Sequence, residues 1–151
     1  MNAVAIIGFD YGEAKHFDID MEQESDGRWI AKIPEISSMN QPSLAVEIDC
    51  RSVKAMLDAH EDFLLLDCRE PSELEIVHMQ AATSLPMSEL EHRVAELDAD
   101  RHRRVVVFCH LGMRSLNVAE WLRQRGFDRA QSMAGGIDAW AQQIEPDLRR
   151  Y

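Results

Sequence analysis

The residues best suited to chemistry are Cys109-His110-Leu111-Gly112-Met113-Arg114-Ser115. Before them, Val105-Val106-Val107-Phe108 is a short β-branched and aromatic run. It reads as a strand buried on both faces, as found centrally in a parallel sheet. After them, Leu116, Val118, Ala119 and Leu122 take up helical spacing. Cys109 therefore falls between a buried strand and a helix N-terminus, where open α/β sheets bind their ligands. Loop N–H groups and the helix dipole favour an anion at that point, and a thiol there ionises more readily than a free one. Gly112 lets the backbone turn with a positive φ. Arg114 closes the loop, and its guanidinium suits either an anionic substrate or bracing of loop carbonyls. The arrangement describes an anion-stabilised nucleophile.

Other chemistry-bearing residues carry weaker signals. His110 adjoins the nucleophile, but adjacent residues rarely present side chains in the geometry of proton transfer, so surface or loop packing is expected of it. Met113 either lines the mouth of the site or fills a gap. His78 reads as a hydrogen-bonded turn residue. Asp67 and Arg69 stand at the end of a second strand, and one of them is expected to brace the active loop by a charged hydrogen bond, with Glu70 facing solvent or the pocket rim. The cysteines and histidines show no paired metal-ligand spacing, so no metal and no cofactor are expected.

The elements that must position these residues follow along the 151-residue chain, whose composition suits one ordinary core with a small appendage. Val4 to Phe9 is a short apolar run, and Phe17 to Glu22 alternates apolar and acidic residues as a half-buried strand does. Asp26-Gly27 is a tight-turn signal, and Trp29 to Ile33 is the returning strand, stopped by Pro34. Residues 4–33 thus form a hairpin or meander, and Ser37 to Ser43 reads as a linker. The division is a small N-terminal β segment at 1–43 and a larger domain at 44–151. In that domain strands and helices alternate: a strand at Val46 to Ile48, a helix N-capped by Ser52, a strand at Phe63 to Leu66, a short helix from Ser72 to Ile76, and an amphipathic helix from Ser88 through Leu97. The central strand, a helix to about Gln124 stopped near Gly126, a strand at Ala130 to Met133 and a closing helix after Gly135-Gly136 complete it. Such β-α repeats give a parallel sheet covered on both faces.

A formal net charge of −11 argues against nucleic-acid or anionic-membrane binding. The basic run Arg101-His102-Arg103-Arg104 reads as a solvated turn, with docking of an acidic partner as the minor alternative. No secretory signal is legible in Met1 to Lys15 and no run is long enough to span a membrane. Three cysteines without a signal suggest reduced thiols, so a cytoplasmic protein is expected.

Three separated motifs give the larger domain a family resemblance. Asp67-Cys68-Arg69-Glu70-Pro71 with Glu73 and His78-Met79-Gln80-Ala81-Ala82, the loop Cys109 to Ser115, and Met133-Ala134-Gly135-Gly136-Ile137-Asp138-Ala139-Trp140 fall in one order. Residues from about 46 to 151 resemble the rhodanese (sulfurtransferase) domain, with Val77 and Ala81 standing where that family usually has glycines. The resemblance implies a rhodanese-like α/β fold, a five-stranded parallel sheet flanked by helices on both faces, here preceded by the N-terminal antiparallel hairpin or meander. It implies a persulfide carried on Cys109, with sulfane sulfur moving from a donor such as thiosulfate to cyanide or a thiol, and with His110 to Ser115 as the anion-binding loop. Asp26 to Ile36 also resembles the hairpin of HicB-like antitoxin domains over a short stretch, without the Gly-rich continuation and helix.

Two other functions remain in view. One is a persulfide carrier or sensor module whose N-terminal hairpin recognises a protein partner. The other is a cysteine phosphatase, whose loop spaces Cys and Arg by five residues where this chain has four; by the resemblance, the shorter loop fits sulfur. If the strands ending at Cys68 and Cys109 are neighbours, as the resemblance implies, the two sulfurs come within about 10 Å. Cys68 is then either a resolving thiol or, as free cysteines usually are, a small buried apolar residue. Cys50 is expected to be the latter.

Overall fold

The computed structural model describes residues 3–6, 16–23, 26–32 and 44–151. The chain divides into two compact units, Met1–Pro42 and Ser43–Tyr151. In the first, β1 (Ala3–Ile6), β2 (His16–Gln23) and β3 (Trp29–Lys32) form an antiparallel sheet in that order. Ala3 stands opposite Ile19, and Asp20 opposite Lys32. The turn between β2 and β3 is built by Asp26, whose carboxylate accepts from the Arg28 backbone N–H at 3.1 Å and from its Nε at 2.8 Å. The linker expected at Ser37 to Ser43 lies outside the described residues, as do Ile7 to Phe9 of the first apolar run and Ile33 to Ile36 of the HicB-like stretch.

The second unit is a five-stranded parallel sheet in the order β4-β8-β7-β5-β6, formed by Glu47–Ile48, Ala130–Met133, Arg104–Phe108, Phe63–Asp67 and Thr83–Ser84. Helices α1 (Cys50–Asp58), α2 (Pro71–Leu74), α3 (Leu90–Arg93), α4 (Met113–Arg123) and α5 (Gly136–Gln143) connect or follow the strands. The central strand β7 is buried on both faces, as its run of Val and Phe requires. Its alternation divides the core in two. Val106 and Phe108 pack with Val53, Met56, Ile137 and Trp140 on one face. Val105, Val107 and Cys109 pack with Leu90, Val118, Leu122 and Phe127 on the other. Among the described residues no helix is long and apolar enough to cross a membrane.

Two helix boundaries differ from expectation. The N-cap of α1 is Asp49, not Ser52; Asp49 accepts from the Ser52 N–H at 2.9 Å and from its hydroxyl at 2.7 Å. Ser52 thus supplies the capped N–H, and a carboxylate accepts two donors at once where a serine would take one. The helix expected from Ser88 through Leu97 is broken: a 3₁₀ turn at Met87–Glu89, one turn of α-helix in α3, then a second 3₁₀ stretch at Val94–Asp100. Its apolar face still reaches the core through Leu90 and Leu97, so the periodicity holds while the hydrogen-bond pattern tightens. The basic run at Arg101 to Arg104 is largely taken up locally. Arg101 pairs with Asp98, Arg103 with Asp62 and Asp100, and Arg104 donates to Gln131.

Candidate active site

Cys109 directly follows β7, and its sulfur is held by the loop that leads into α4. The Gly112 N–H donates to Sγ at 3.1 Å, the Ser115 N–H at 3.4 Å and the Ser115 hydroxyl at 3.5 Å. From the next strand, the Cys68 thiol is packed in the same buried cluster as this sulfur and donates to the Phe108 carbonyl at 3.3 Å. Its proximity lowers the Cys109 thiol most. Burial opposes it, the Ser115 and Gly112 donors reinforce it, and the result is a thiol pulled down to about 4. Cys68 shifts upward, because the neighbouring Cys109 sulfur favours its protonated form, because it is buried, and because it faces that sulfur's negative charge. One sulfur is a thiolate and its neighbour stays a thiol.

The loop keeps its N–H groups turned inward because its carbonyls are engaged elsewhere. The Ile137 N–H donates to the Cys109 carbonyl at 2.8 Å, and the Asp138 N–H to the His110 carbonyl at 3.1 Å. These are orphan donors of the first turn of α5. The approach needs glycine at Gly136, since a Cβ there would lie 2.3 Å from the Cys109 carbonyl oxygen. Gly112, with φ +95°, abuts the same turn; a Cβ on it would come within 2.9 Å of the Gly135 nitrogen. Ser115 is fixed in turn by the Gly112 carbonyl at 3.0 Å and the Ser132 hydroxyl at 2.9 Å. In the first turn of α4, Met113 and Arg114 have N–H groups without intrahelical acceptors, so the cradle has donors beyond those already on the sulfur.

Charged residues form an outer ring. Arg114 makes a two-pronged ion pair with Glu73, at 2.7 and 2.6 Å. Arg114 in turn lowers the Glu73 carboxyl to about 2. Asp67 and Arg69, expected to brace the active loop, pair with each other instead, fully buried, with a closest contact of 2.6 Å. Burying two charges is tolerable only with such near-complete pairing. Arg69 also donates to the Val77 carbonyl at 3.0 Å and to the Tyr151 hydroxyl at 3.1 Å. Tyr151 donates to Glu73 at 2.9 Å, and its ring stacks on His110 at 4.1 Å between centroids. Asp67 and Arg69 thus reach the loop only indirectly, through Tyr151.

The remaining candidates fall into place. His110 packs on Tyr151. Leu111 and Met113 are exposed at 61 and 71%, forming an apolar rim. Glu70 does not simply face solvent: it closes a capping box with Glu73 and accepts from the Ser88 N–H and hydroxyl at 3.2 and 2.8 Å. His78, expected to be a hydrogen-bonded turn residue, is exposed and lines a cavity of about 310 Å³ with Asp67, Met79 and Ser84. Val77 packs in the cluster on the face of the sheet opposite Cys109, so its bulk is kept from the nucleophile. Cys50 is buried against the Ala134 carbonyl. Sequence reasoning assigned no role to Glu73, although it stands in the first motif, and none to Ser132 or Tyr151, which carry no local signal.

Residues 49–143 match the Rhodanese-like domain family. The chain belongs to that family. A sulfurtransferase of Allochromatium vinosum is 39% identical to this rhodanese-like chain over 95 residues, covering 63% of the chain and 87% of the relative. An adenylyltransferase and sulfurtransferase of Zea mays, MOCS3-2, is 32% identical over 120 residues, covering 76% of the chain. The chain spans about a quarter of the length of that relative and of others like it. A rhodanese-related protein from Thermoplasma volcanium superposes with a TM-score of 0.60 at 27% identity, over 71% of this chain and all of that one. Family and relatives together place the rhodanese-like unit among proteins of sulfur transfer.

Proposed function

We propose that the chain is a sulfurtransferase that takes sulfane sulfur from a donor such as thiosulfate and passes it to a thiophilic acceptor through a persulfide on Cys109. The observation that carries this reading is the buried Cys109 sulfur held by the Gly112 and Ser115 donors, with spare N–H donors in the same loop. The thiolate attacks the outer sulfur of thiosulfate, the donor's S–S bond breaks, and sulfite leaves with the electron pair. The persulfide anion then lies where the first-turn donors of α4 stabilise negative charge. Cyanide or an acceptor thiolate attacks the outer sulfur and returns Cys109 as thiolate, so no general base is needed and His110 is left to packing. The apolar rim of Leu111 and Met113 admits a small molecule or the cysteine of a protein. Three free cysteines suit a reducing compartment such as the cytoplasm.

Intact mass spectrometry after thiosulfate, quenched within seconds, tests the proposal. An addition of about 32 Da, removed by cyanide and absent from Cys109→Ser, is expected. An adduct that forms but is turned over negligibly would favour a carrier module served by the N-terminal sheet. Release of phosphate from an aryl phosphate, with no adduct, would overturn sulfur chemistry in favour of a phosphatase.

A further inference from the structure

We propose that Cys68 is a resolving thiol: it attacks the inner sulfur of the Cys109 persulfide, expels hydrosulfide and leaves a Cys68–Cys109 disulfide. This rests on the persulfide reading above and adds a second exit for the sulfur.

The sheet sets up the encounter. β5 and β7 are adjacent and parallel, and their register places Asp67 opposite Phe108. The next pair along is Cys68 and Cys109, and the ladder continues to that step, with the Cys68 N–H donating to the Phe108 carbonyl at 3.0 Å. Neighbouring strands lie about 4.8 Å apart, inside the roughly 4.4–6.8 Å between Cα atoms that a disulfide spans. Strand alternation puts both side chains on one face, in one buried cluster. The Cys68 thiol donates to the carbonyl of Phe108, the residue just before Cys109, at 3.3 Å, while the Gly112 and Ser115 N–H groups hold the Cys109 sulfur. Both thiols are free. Cys50 packs in the cluster on the opposite face.

The step balances. The Cys68 sulfur forms a bond to the inner sulfur of Cys109–S–S⁻ as the persulfide bond breaks. The outer, sulfane sulfur takes the bonding pair and is reduced, while the cysteine pair is oxidised to a disulfide. The Cys68 proton goes to the departing sulfur, which leaves as HS⁻ with the charge the persulfide carried. Renewed turnover then requires a dithiol reductant to reopen the disulfide, in the ordinary exchange of thiolate with disulfide.

The test uses the full chain, reduced, freed of reductant and treated with thiosulfate without any acceptor. In the wild type the adduct of about +32 Da is expected to give way to a species about 2 Da lighter than the dithiol, with one hydrosulfide released per chain. Peptide mapping is expected to join Cys68 to Cys109 and leave Cys50 reduced. In Cys68→Ser, which keeps a small donor at that position, the lifetime of the adduct is expected to rise at least ten-fold and the lighter species to vanish. A wild-type adduct that persists with no disulfide overturns the resolving role and leaves the sulfurtransferase reading standing. Neither adduct nor disulfide in the wild type overturns both. Because the disulfide is read in the wild type, the test holds even if the variant folds poorly.

Discussion

Cys109 owes its ionisation to neutral neighbours: a thiol, a hydroxyl and two backbone N–H groups, with the nearby guanidinium of Arg114 committed to Glu73. A thiolate held this way should be little affected by salt, since no separated surface charges support it. Its pH behaviour follows from the sign of the shift. With the folded thiol near 4, far below its unfolded value, the stability supplied by the thiolate is complete only above the unfolded value and is lost as pH falls toward 4. Alkylation of Cys109 by a small haloacetamide should therefore stay nearly flat from pH 8 to 5 and fall off near 4. In Ser115→Ala, which removes the hydroxyl donor, the midpoint of that profile should move up by an amount worth about 1 kcal/mol. Asp67→Asn leaves the Arg69 guanidinium buried with a neutral partner. A loss of about 3–5 kcal/mol in chemical denaturation is expected, because an uncompensated buried charge costs more than its pair contributed.

The strand β7, its loop and α5 act as one device, although a helix and a strand separate motif from motif. Gly136→Ala would drive a methyl group into the Cys109 and His110 carbonyls. Loss of more than about 3 kcal/mol in denaturant and failure to form the persulfide adduct are the expected outcomes. Glu73 ties α2 to the head of α4. Its carboxyl is lowered to about 2, so the stability it gives is complete above the ordinary carboxylate value and is lost as pH falls toward 2. Glu73→Gln should cost about 1–3 kcal/mol at pH 7, and the gap from wild type should close as the medium approaches pH 2. At this scale the sequence is informative where signals are local. The apolar run at 105–108, Gly112 with its positive φ, and Gly135-Gly136 ahead of α5 are all legible. Partner choice is not: Arg114 finding Glu73, and Asp67 finding Arg69, depend on which strand ends the fold brings together. The 3₁₀ windings around α3 are equally hidden, since they share their apolar spacing with an α-helix.

For the whole molecule, the parallel order with β7 at its centre follows from β-α alternation and the three motifs, because right-handed crossovers leave few alternatives. Ser132 and Tyr151 could not have been picked out, since Ser132 falls just outside the third motif, Tyr151 lies beyond all three, and each matters only through tertiary contact. The chain divides at Pro42 and Ser43. A protein of residues 43–151 alone should fold cooperatively and form the adduct at a rate within about two-fold of the full chain, as expected of a unit with its own core; circular dichroism and adduct kinetics check this. The bonds from Ile137 and Asp138 to the carbonyls of Cys109 and His110 have a consequence in time as well as space. A ribosome releases the cysteine before it releases the helix that secures its loop, and domains generally fold as units as they are made. A nascent or prematurely ended chain therefore carries an unsecured, ordinary thiol, slow toward sulfur donors. Full reactivity toward sulfur donors is expected only once α5 has folded against the loop.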